Sequence, residues 1–310
     1  MKKKITVVTP MFNEEGNVTE LCGRVAAVMQ RLPYDYEHIC IDNCSTDKTV
    51  DLLKGLAAVD RNLKIIVNVR NFGPIRSPYH AILQATGDAV VLIAADLQDP
   101  PELIEEFLEK WEAGFKTVMA TKPQSEESPI MFSIRRVYYK IIDRISEVSL
   151  IPNATGCGLF DKEVIAILKS LNDPYPYFRG LVCEVSHPVA TVPFKQPRRR
   201  RGVSSFNFYT LYDTAMLGVT KHSKVPLRLM IFSGFGVAFL CFITGFGYLL
   251  AKLFFWNSFA LGVAPLVLGF FFFSGVQMVF LGILGEYVGS IQTHVRQLPH
   301  VIEAERVNFD

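Results

Sequence analysis

From Ile5 to Ala120, short runs of apolar and β-branched residues alternate with longer stretches whose apolar positions recur at helical spacing. The runs Ile5–Thr9, His38–Asp42, Lys64–Val69, Ala89–Ile93 and Thr117–Ala120 have the length and residue types of buried strands. Between them, Val18–Leu32 carries an apolar helical face, and Thr46–Ala58 follows an Asn43-Cys44-Ser45 turn. Pro100-Pro101-Glu102 opens Leu103–Ala113, with the prolines where a first helical turn tolerates them. Strands alternating with helices of this length predict βαβ units and an α/β fold with a mainly parallel sheet. Ligands of such sheets bind at the carboxyl ends of the strands, so the residues that follow each strand carry the functional interest.

Further along, Lys122–Pro129 is polar and reads as a loop, and Ile134–Ile145 reads as a helix with Arg135 and Arg136 on a basic side. Residues 153–194 look like a second α/β portion ending in the strand Val189–Phe194, and four arginines, Arg198–Arg201, follow. The pattern then changes. Two apolar segments, about 229–254 and 260–284, are each long enough to cross roughly 30 Å of hydrocarbon at about 1.5 Å per residue. The short link between them predicts a helical hairpin with both ends on one side. Lys221, Lys224 and Arg228 precede it and Arg296 follows it, whereas Lys252 is the lone charge near the turn, so the ends are expected in the cytoplasm. The expected organisation is a cytoplasmic domain over 1–205, an amphipathic interfacial segment over 206–228, two transmembrane helices within 229–285, and a cytoplasmic tail over 286–310. That is a multi-pass protein of the inner, cytoplasmic membrane. A buried pair of core helices is the alternative, and two such charge-free spans in succession are rare in soluble domains.

Composition sharpens this picture. The net charge of +2, from 32 basic and 30 acidic residues, is too balanced for nucleic acid as a partner. Half of the 310 residues are hydrophobic, yet charge nearly vanishes only between Leu229 and Leu284. The apolar run after Lys2-Lys3-Lys4 is about five residues, below the roughly 7–15 of a signal-peptide core, and is read as a first strand. The six cysteines show no paired CxxC spacing, so neither a zinc site nor a disulfide framework is expected, and a reducing cytosol fits. The histidines are likewise scattered without ligand spacing.

Four segments directly after strands are polar where a core would be apolar: Pro10–Glu15, Asp42–Asp47, Arg70–Gly73 and Ala94–Glu102. Any one of them could be turn and cap chemistry alone; four together indicate a site. A strand-end carboxylate such as Asp42 can accept hydrogen bonds from a base or ribose, and Asp96 can hold a hard divalent cation. Gln98 lies two residues on, within reach of the same ion. A cation bridging a diphosphate neutralises the leaving group of a sugar–diphosphate bond.

The ordered motifs PxxNEE, DNxSTDxT, RNFG and ADLQDPPE, followed by RxxGxS and a two-helix tail, resemble the family-2 glycosyltransferases of GT-A fold, and among them the polyprenyl-phosphate type. The likeness runs over nearly the whole chain. It implies inverting transfer of a sugar from a UDP- or GDP-sugar to a polyprenyl (undecaprenyl or dolichyl) phosphate, assisted by Mg²⁺ or Mn²⁺, and it suggests a homotetramer. By position it assigns Pro10, Asn13, Glu14, Asp42, Asn43, Ser45 and Arg70 to the nucleotide, and Asp96, as a catalytic residue, with Gln98 to the metal. It assigns Arg199, Arg201 and Ser204 to phosphate or acceptor, with Arg135 and Arg136 either on the same face or on a solvated helix.

The departures bear on chemistry. Asn43 stands where family members often have a second Asp, Ala94 opens what is often Asp-x-Asp, and Ser205 replaces a lysine. Cys157 occupies the position of the proposed catalytic base. A phosphate monoester, with a second pKa of about 6, is already largely anionic near neutrality and can attack without surrendering a proton, so a lipid phosphate tolerates this loss better than a hydroxyl acceptor does. Cys157 is open to two readings, a nucleophile or a small packing residue; Asp161 could act as a base or cap the helix Lys162–Leu171. Asp173–Gly180 could form an acceptor-side wall or a packed loop. The rival functions are a glycosyltransferase with another membrane acceptor, a glycolipid or polysaccharide, and a catalytically silent nucleotide-sugar-binding membrane subunit.

Overall fold

The computed structural model describes residues 2–122, 151–171, 173–186, 188–195, 216–221, 223–254, 263–296 and 298–309. An eight-stranded sheet organises them, in the order β7-β5-β6-β4-β1-β2-β3-β8. Its first four strands are β1 (Lys4–Met11), β2 (Asp35–Asp42), β3 (Leu63–Asn68) and β4 (Ala89–Leu92). They are mutually parallel where they pair: Met11 faces Asp42 between β1 and β2, and Val8 faces Leu92 between β1 and β4. All four therefore end at one edge. The sheet is completed by β5 (Thr117–Thr121), β6 (Ala154–Asp161) and β7 (Val189–Pro193), with β6 antiparallel to both β4 and β5. Because β6 runs the other way, it is the start of β6 that lies at the edge where β4 ends.

Helices cover both faces. On one side lie α1 (Val18–Arg31), α2 (Thr49–Ala57) and α4 (Leu103–Glu112); on the other lie α3 (Gly73–Gln84), α5 (Lys162–Leu171) and α6 (Phe178–Val185). The spacing of Val18, Leu21, Cys22, Val25, Val28 and Met29 turns one stripe of α1 onto the sheet. Helix α3 went unread in the sequence because Pro74 stands in its first turn and Pro78 inside it, and the pattern there looks like loop.

The edge opposite the strand ends is held by a buried carboxylate. Glu37 accepts bonds from Lys4 at 2.8 Å, Lys64 at 2.9 Å, Thr6 at 2.7 Å and the Thr86 amide at 3.0 Å. Burial alone would raise its pKa, but these donors outweigh it and draw the carboxyl down to about 2.

Two long helices follow, α7 (Val225–Phe254) and α8 (Val263–Val295). Both contain stretches long and apolar enough to cross a membrane, Val225–Thr244 and Phe272–Val295, with no part of these stretches buried by the protein. Phe232, Phe235 and Phe242 are more than 70% exposed, which in water would be a large unpaid hydrophobic surface. The second helix continues past the expected boundary at 284, to Val295.

The expectation of a separate tail over 286–310 is corrected here. Residues Glu303–Val307 form β8, which pairs antiparallel to β3 with Ile66 opposite Arg306 and Val67 opposite Glu305. Val69 donates to Ile302 at 3.0 Å, Arg76 donates to the Pro299 carbonyl, and His80 meets Glu303 at 2.5 Å. The chain end thus closes the sheet edge beside α3, satisfying ladder groups that an open edge would expose.

At Gly158, a Cβ would lie 2.3 Å from the Val118 carbonyl oxygen of the neighbouring strand, a backbone atom that cannot swing away. Gly158→Ala is expected to push β5 and β6 apart at a cost of roughly 1–3 kcal/mol, read as a lower melting temperature of the detergent-solubilised protein; an unchanged melting curve would contradict the packing described.

Candidate active site

The loops after β1 and β2 are zipped together by their own polar side chains. The Asn13 amide donates to Ser45 Oγ at 2.8 Å, and Asn13 Oδ1 accepts from the Thr46 amide at 2.8 Å. The Glu14 amide donates to Thr49 Oγ1 at 2.9 Å, and Glu15 and Lys48 exchange a further side-chain-to-backbone bond at 3.0 Å. Asn13 and Cys44 both adopt left-handed backbone, with φ of 55° and 66°, a conformation non-glycine residues rarely take. Asp42, the last residue of β2, is fully buried and accepts from Ser45 through both its amide at 2.8 Å and its hydroxyl at 2.5 Å. Burial nonetheless holds its pKa above the usual carboxylate value.

Asn43 has a positioning part. Its Nδ2 donates to Asn71 Oδ1 at 2.8 Å and its Oδ1 accepts from the Phe72 amide at 2.9 Å, so this buried side chain folds the loop after β3 against the loop after β2. Arg70 leads that loop and stacks its guanidinium over the Phe72 ring, 4.1 Å from the centroid. The arrangement keeps a cation at the strand-end edge.

After β4 the chain makes a tight turn through Asp96. Asp96 Oδ1 accepts from the Gln98 amide at 3.1 Å, and Leu97 between them has φ of 58°. Both Asp96 and Gln98 are partly exposed, while Asp99 is 6% exposed. Asp99 Oδ1 has no hydrogen-bond partner among the described residues. Burial, and then the neighbouring charge of Asp96, push the Asp99 carboxyl up to about 7, against the opposing pull of Lys122 and Arg179. Arg179 is itself anchored by donating to the Thr155 carbonyl at 2.6 Å. Two carboxylates and two cations thus gather where β4 ends and β6 begins.

The profile of the glycosyl transferase family 2 matches residues 6–167, which includes every strand-end segment just described. The chain belongs to glycosyl transferase family 2. It is 32% identical over 300 residues to an uncharacterized glycosyltransferase of Synechocystis sp., covering 96% of this chain and 94% of that one. It is 31% identical over 300 residues to the SfII prophage-derived bactoprenol glucosyl transferase of Shigella flexneri, covering 96% and 97%. Among solved structures it is similar to glucosyl-3-phosphoglycerate synthase from Mycobacterium tuberculosis in complex with Mn²⁺, UDP-glucose and phosphoglyceric acid, with 16% identity, 70% and 78% coverage and a TM-score of 0.47. This family 2 glycosyltransferase has the GT-A arrangement of a mixed α/β sheet, with two apolar helices added near its C-terminus.

Of the residues singled out in the sequence, Pro10, Asn13, Glu14, Asp42, Asn43, Ser45, Arg70, Asp96 and Gln98 come to one edge of the sheet. Arg135, Arg136, Arg199, Arg201 and Ser204 lie outside the described residues. Asp161 and Cys157 each carried two readings, and the structure favours capping and packing over chemistry. Asp161 pairs opposite Ala89, at the start of β4 and so at the far edge, where it accepts from Trp111 Nε1 at 2.8 Å and from the Glu163 amide at 2.8 Å, as the capping reading requires. Cys157 does lie at the site edge, but it is 3% exposed and burial holds its thiol well above the usual value, in keeping with a packing residue. Asp99, Lys122 and Arg179 were missed as site residues. The signal for Asp99 was present in ADLQDPPE, whose second carboxylate reads as a helix-leading cap until its burial is seen.

Because Asp99 titrates at about 7 when folded and near its ordinary 3.8 when unfolded, the folded chain keeps a proton that the unfolded chain releases. Stability from this group is complete below about pH 4 and is lost as pH rises through 7. Asp99→Asn removes the loss: with chelator present, the variant should match the parent near pH 4 and exceed it by a few kcal/mol at pH 8, on the order of 1.4 kcal/mol per pH unit crossed. Urea midpoints across that range check this, and a gain that is equal at both ends would refute the buried-charge account.

Proposed function

We propose that this glycosyltransferase moves a sugar, with inversion, from a UDP- or GDP-sugar to a polyprenyl phosphate at the cytoplasmic face of the membrane. The observation that carries the reading is the convergence of Asp42, Asp96 and Asp99 at one sheet edge in a chain that continues into two lipid-length helices. Relatives named bactoprenol glucosyl transferase, matched over nearly the whole chain, support the lipid acceptor. Asp42 and the Asn13–Ser45 loop pair form the nucleotide end, with Arg70 beside it.

The donor set next to the nucleotide end suits a hard divalent cation. Asp96 and Asp99 bring two carboxylates together, one with a buried oxygen that has no partner among the described residues, and Gln98 adds an amide oxygen. Mg²⁺ or Mn²⁺ held there would supply charge to the leaving diphosphate. Lys122 and Arg179 add cationic charge on the same side, where the developing negative charge needs it.

Cys157, buried and protonated, takes no proton from the acceptor. An anionic phosphate oxygen requires none, so a lipid phosphate is the acceptor this site can use without a base. A cavity of about 460 Å³ between Tyr175, Leu217, Lys221 and the Gly282, Gly285 and Gly289 stripe of α8 lies where the globular part meets the apolar helices, and is read as the acceptor's approach. In this reading the catalytic domain and both termini face the cytoplasm, as the basic residues flanking the helices favour.

Purified protein with Mn²⁺, undecaprenyl phosphate and a panel of UDP- and GDP-sugars should form a lipid-linked sugar that mild acid releases. Asp96→Ala should lower the rate at least about 10²-fold, whereas Asp161→Asn and Cys157→Ala should stay within a few-fold of the parent. Donor binding without transfer or slow hydrolysis would instead favour a silent nucleotide-sugar-binding subunit, and an acid-stable product would favour a hydroxyl acceptor.

A further inference from the structure

Away from the strand ends, the fold brings together three residues that the sequence separates. Cys22 comes from α1, and His38 and Cys40, two residues apart on β2, point to the same face of the sheet. All three are buried, and their Sγ and ring nitrogen atoms lie within 4.8 Å of one another. His38 Nε2 is 3.5 Å from Cys40 Sγ and 2.9 Å from Thr9 Oγ1, a buried hydroxyl on the adjacent strand β1. Sequence spacing gave no sign of this grouping, because one member comes from a helix and two from a strand.

We propose that Cys22, His38 and Cys40 form a structural site for a thiophilic divalent cation of the Zn²⁺ class, with Thr9 or a water in the fourth position. A tetrahedral ion with metal–sulfur bonds of about 2.3 Å and a metal–nitrogen bond of about 2.0 Å sets its ligand atoms roughly 3.5–3.8 Å apart. The His38–Cys40 separation of 3.5 Å already has that value, and all three ligand atoms lie within 4.8 Å of one another. Charge balance points the same way. Two thiolates, one neutral imidazole and one dication sum to zero, which a dry core accepts, whereas a lone thiolate there is costly.

The soft donors separate this site from the oxygen-rich edge at Asp96. Magnesium and manganese prefer carboxylate and amide oxygen; zinc and cobalt prefer thiolate and imidazole. Position suggests the consequence: an ion here would fasten α1 to β2 two residues before Asp42, fixing the strand end that carries the nucleotide loop.

The test uses the full chain, reduced and stripped of metal, titrated with Co²⁺. One equivalent should produce the thiolate-to-cobalt charge-transfer band and the visible bands of tetrahedral cobalt, and Zn²⁺ should bleach both. Cys22→Ala, at the rim of the cluster, and Cys40→Ser should each abolish the spectrum, while Asp96→Ala should leave it intact. Zn²⁺ should raise the melting temperature of the parent but not of Cys22→Ala, which keeps the test valid if Cys40→Ser folds poorly. Absence of cobalt bands in the folded, reduced parent, their persistence in Cys22→Ala, or their loss in Asp96→Ala would overturn the proposal. Both readouts are independent of glycosyl transfer, so their failure leaves the proposed activity untouched.

Discussion

The parallel register of β1 with β2 and β4 is the constraint on which the rest depends. With Met11 opposite Asp42 and Val8 opposite Leu92, three chain exits are forced onto one edge within a few residues of one another. Any slip by one residue would turn Asp42 from the edge into a packed face, because side chains alternate along a strand. The zipper between Asn13, Ser45, Thr46 and Thr49 follows from that register and also reinforces it, since loops of unequal reach could not exchange these bonds.

The two edges of the sheet treat buried carboxylates in opposite ways. At the amino edge, Glu37 is saturated with two ammonium groups and two threonines and falls to about 2, so it contributes stability. At the carboxyl edge, Asp42 and Asp99 are left with fewer donors than burial demands, and both rise above the usual value. A fold that can satisfy a carboxylate at one end and leaves others under-satisfied at the other is holding polar capacity in reserve. Such unspent capacity is the physical mark of a place where a ligand completes the structure.

Much of this was legible because the central strands are short β-branched runs whose following residues are polar. Asp42, Asn13 and Asp96 announce themselves by position alone. The losses have physical reasons. Helix α3 is masked by Pro74 and Pro78, and β8 by its charge-rich sequence, Glu303-Ala304-Glu305-Arg306-Val307, which is suited to an edge strand and hard to tell from a tail. The burial of Asp99 is invisible in its motif, and so is chain direction in β6, which sends Asp161 to the far edge and brings Cys157 to the near one. The Cys22, His38 and Cys40 cluster has no local spacing at all, since one member arrives from a helix and the others from a strand.

The segment after the apolar helices is bonded to the part of the domain that leads to the strand-end edge. Helix α8 ends at Val295, and within a few residues Pro299, Ile302 and Glu303 are bonded to Arg76, Val69 and His80. Arg76 and His80 belong to α3, which starts at Gly73, at the end of the loop that Asn43 holds and Arg70 leads. Burial keeps the His80 imidazole below its usual pKa, so near neutrality its contact with Glu303 is a hydrogen bond to a largely neutral ring, short-ranged and little affected by salt. Directional bonds and helix α3 thus form a continuous packed connection between the segment after α8 and the Arg70 loop. Antiparallel pairing of β8 with β3 anchors the same segment a second time, with Glu303 opposite Asn68 and Glu305 to Val307 opposite Val67 to Ile65.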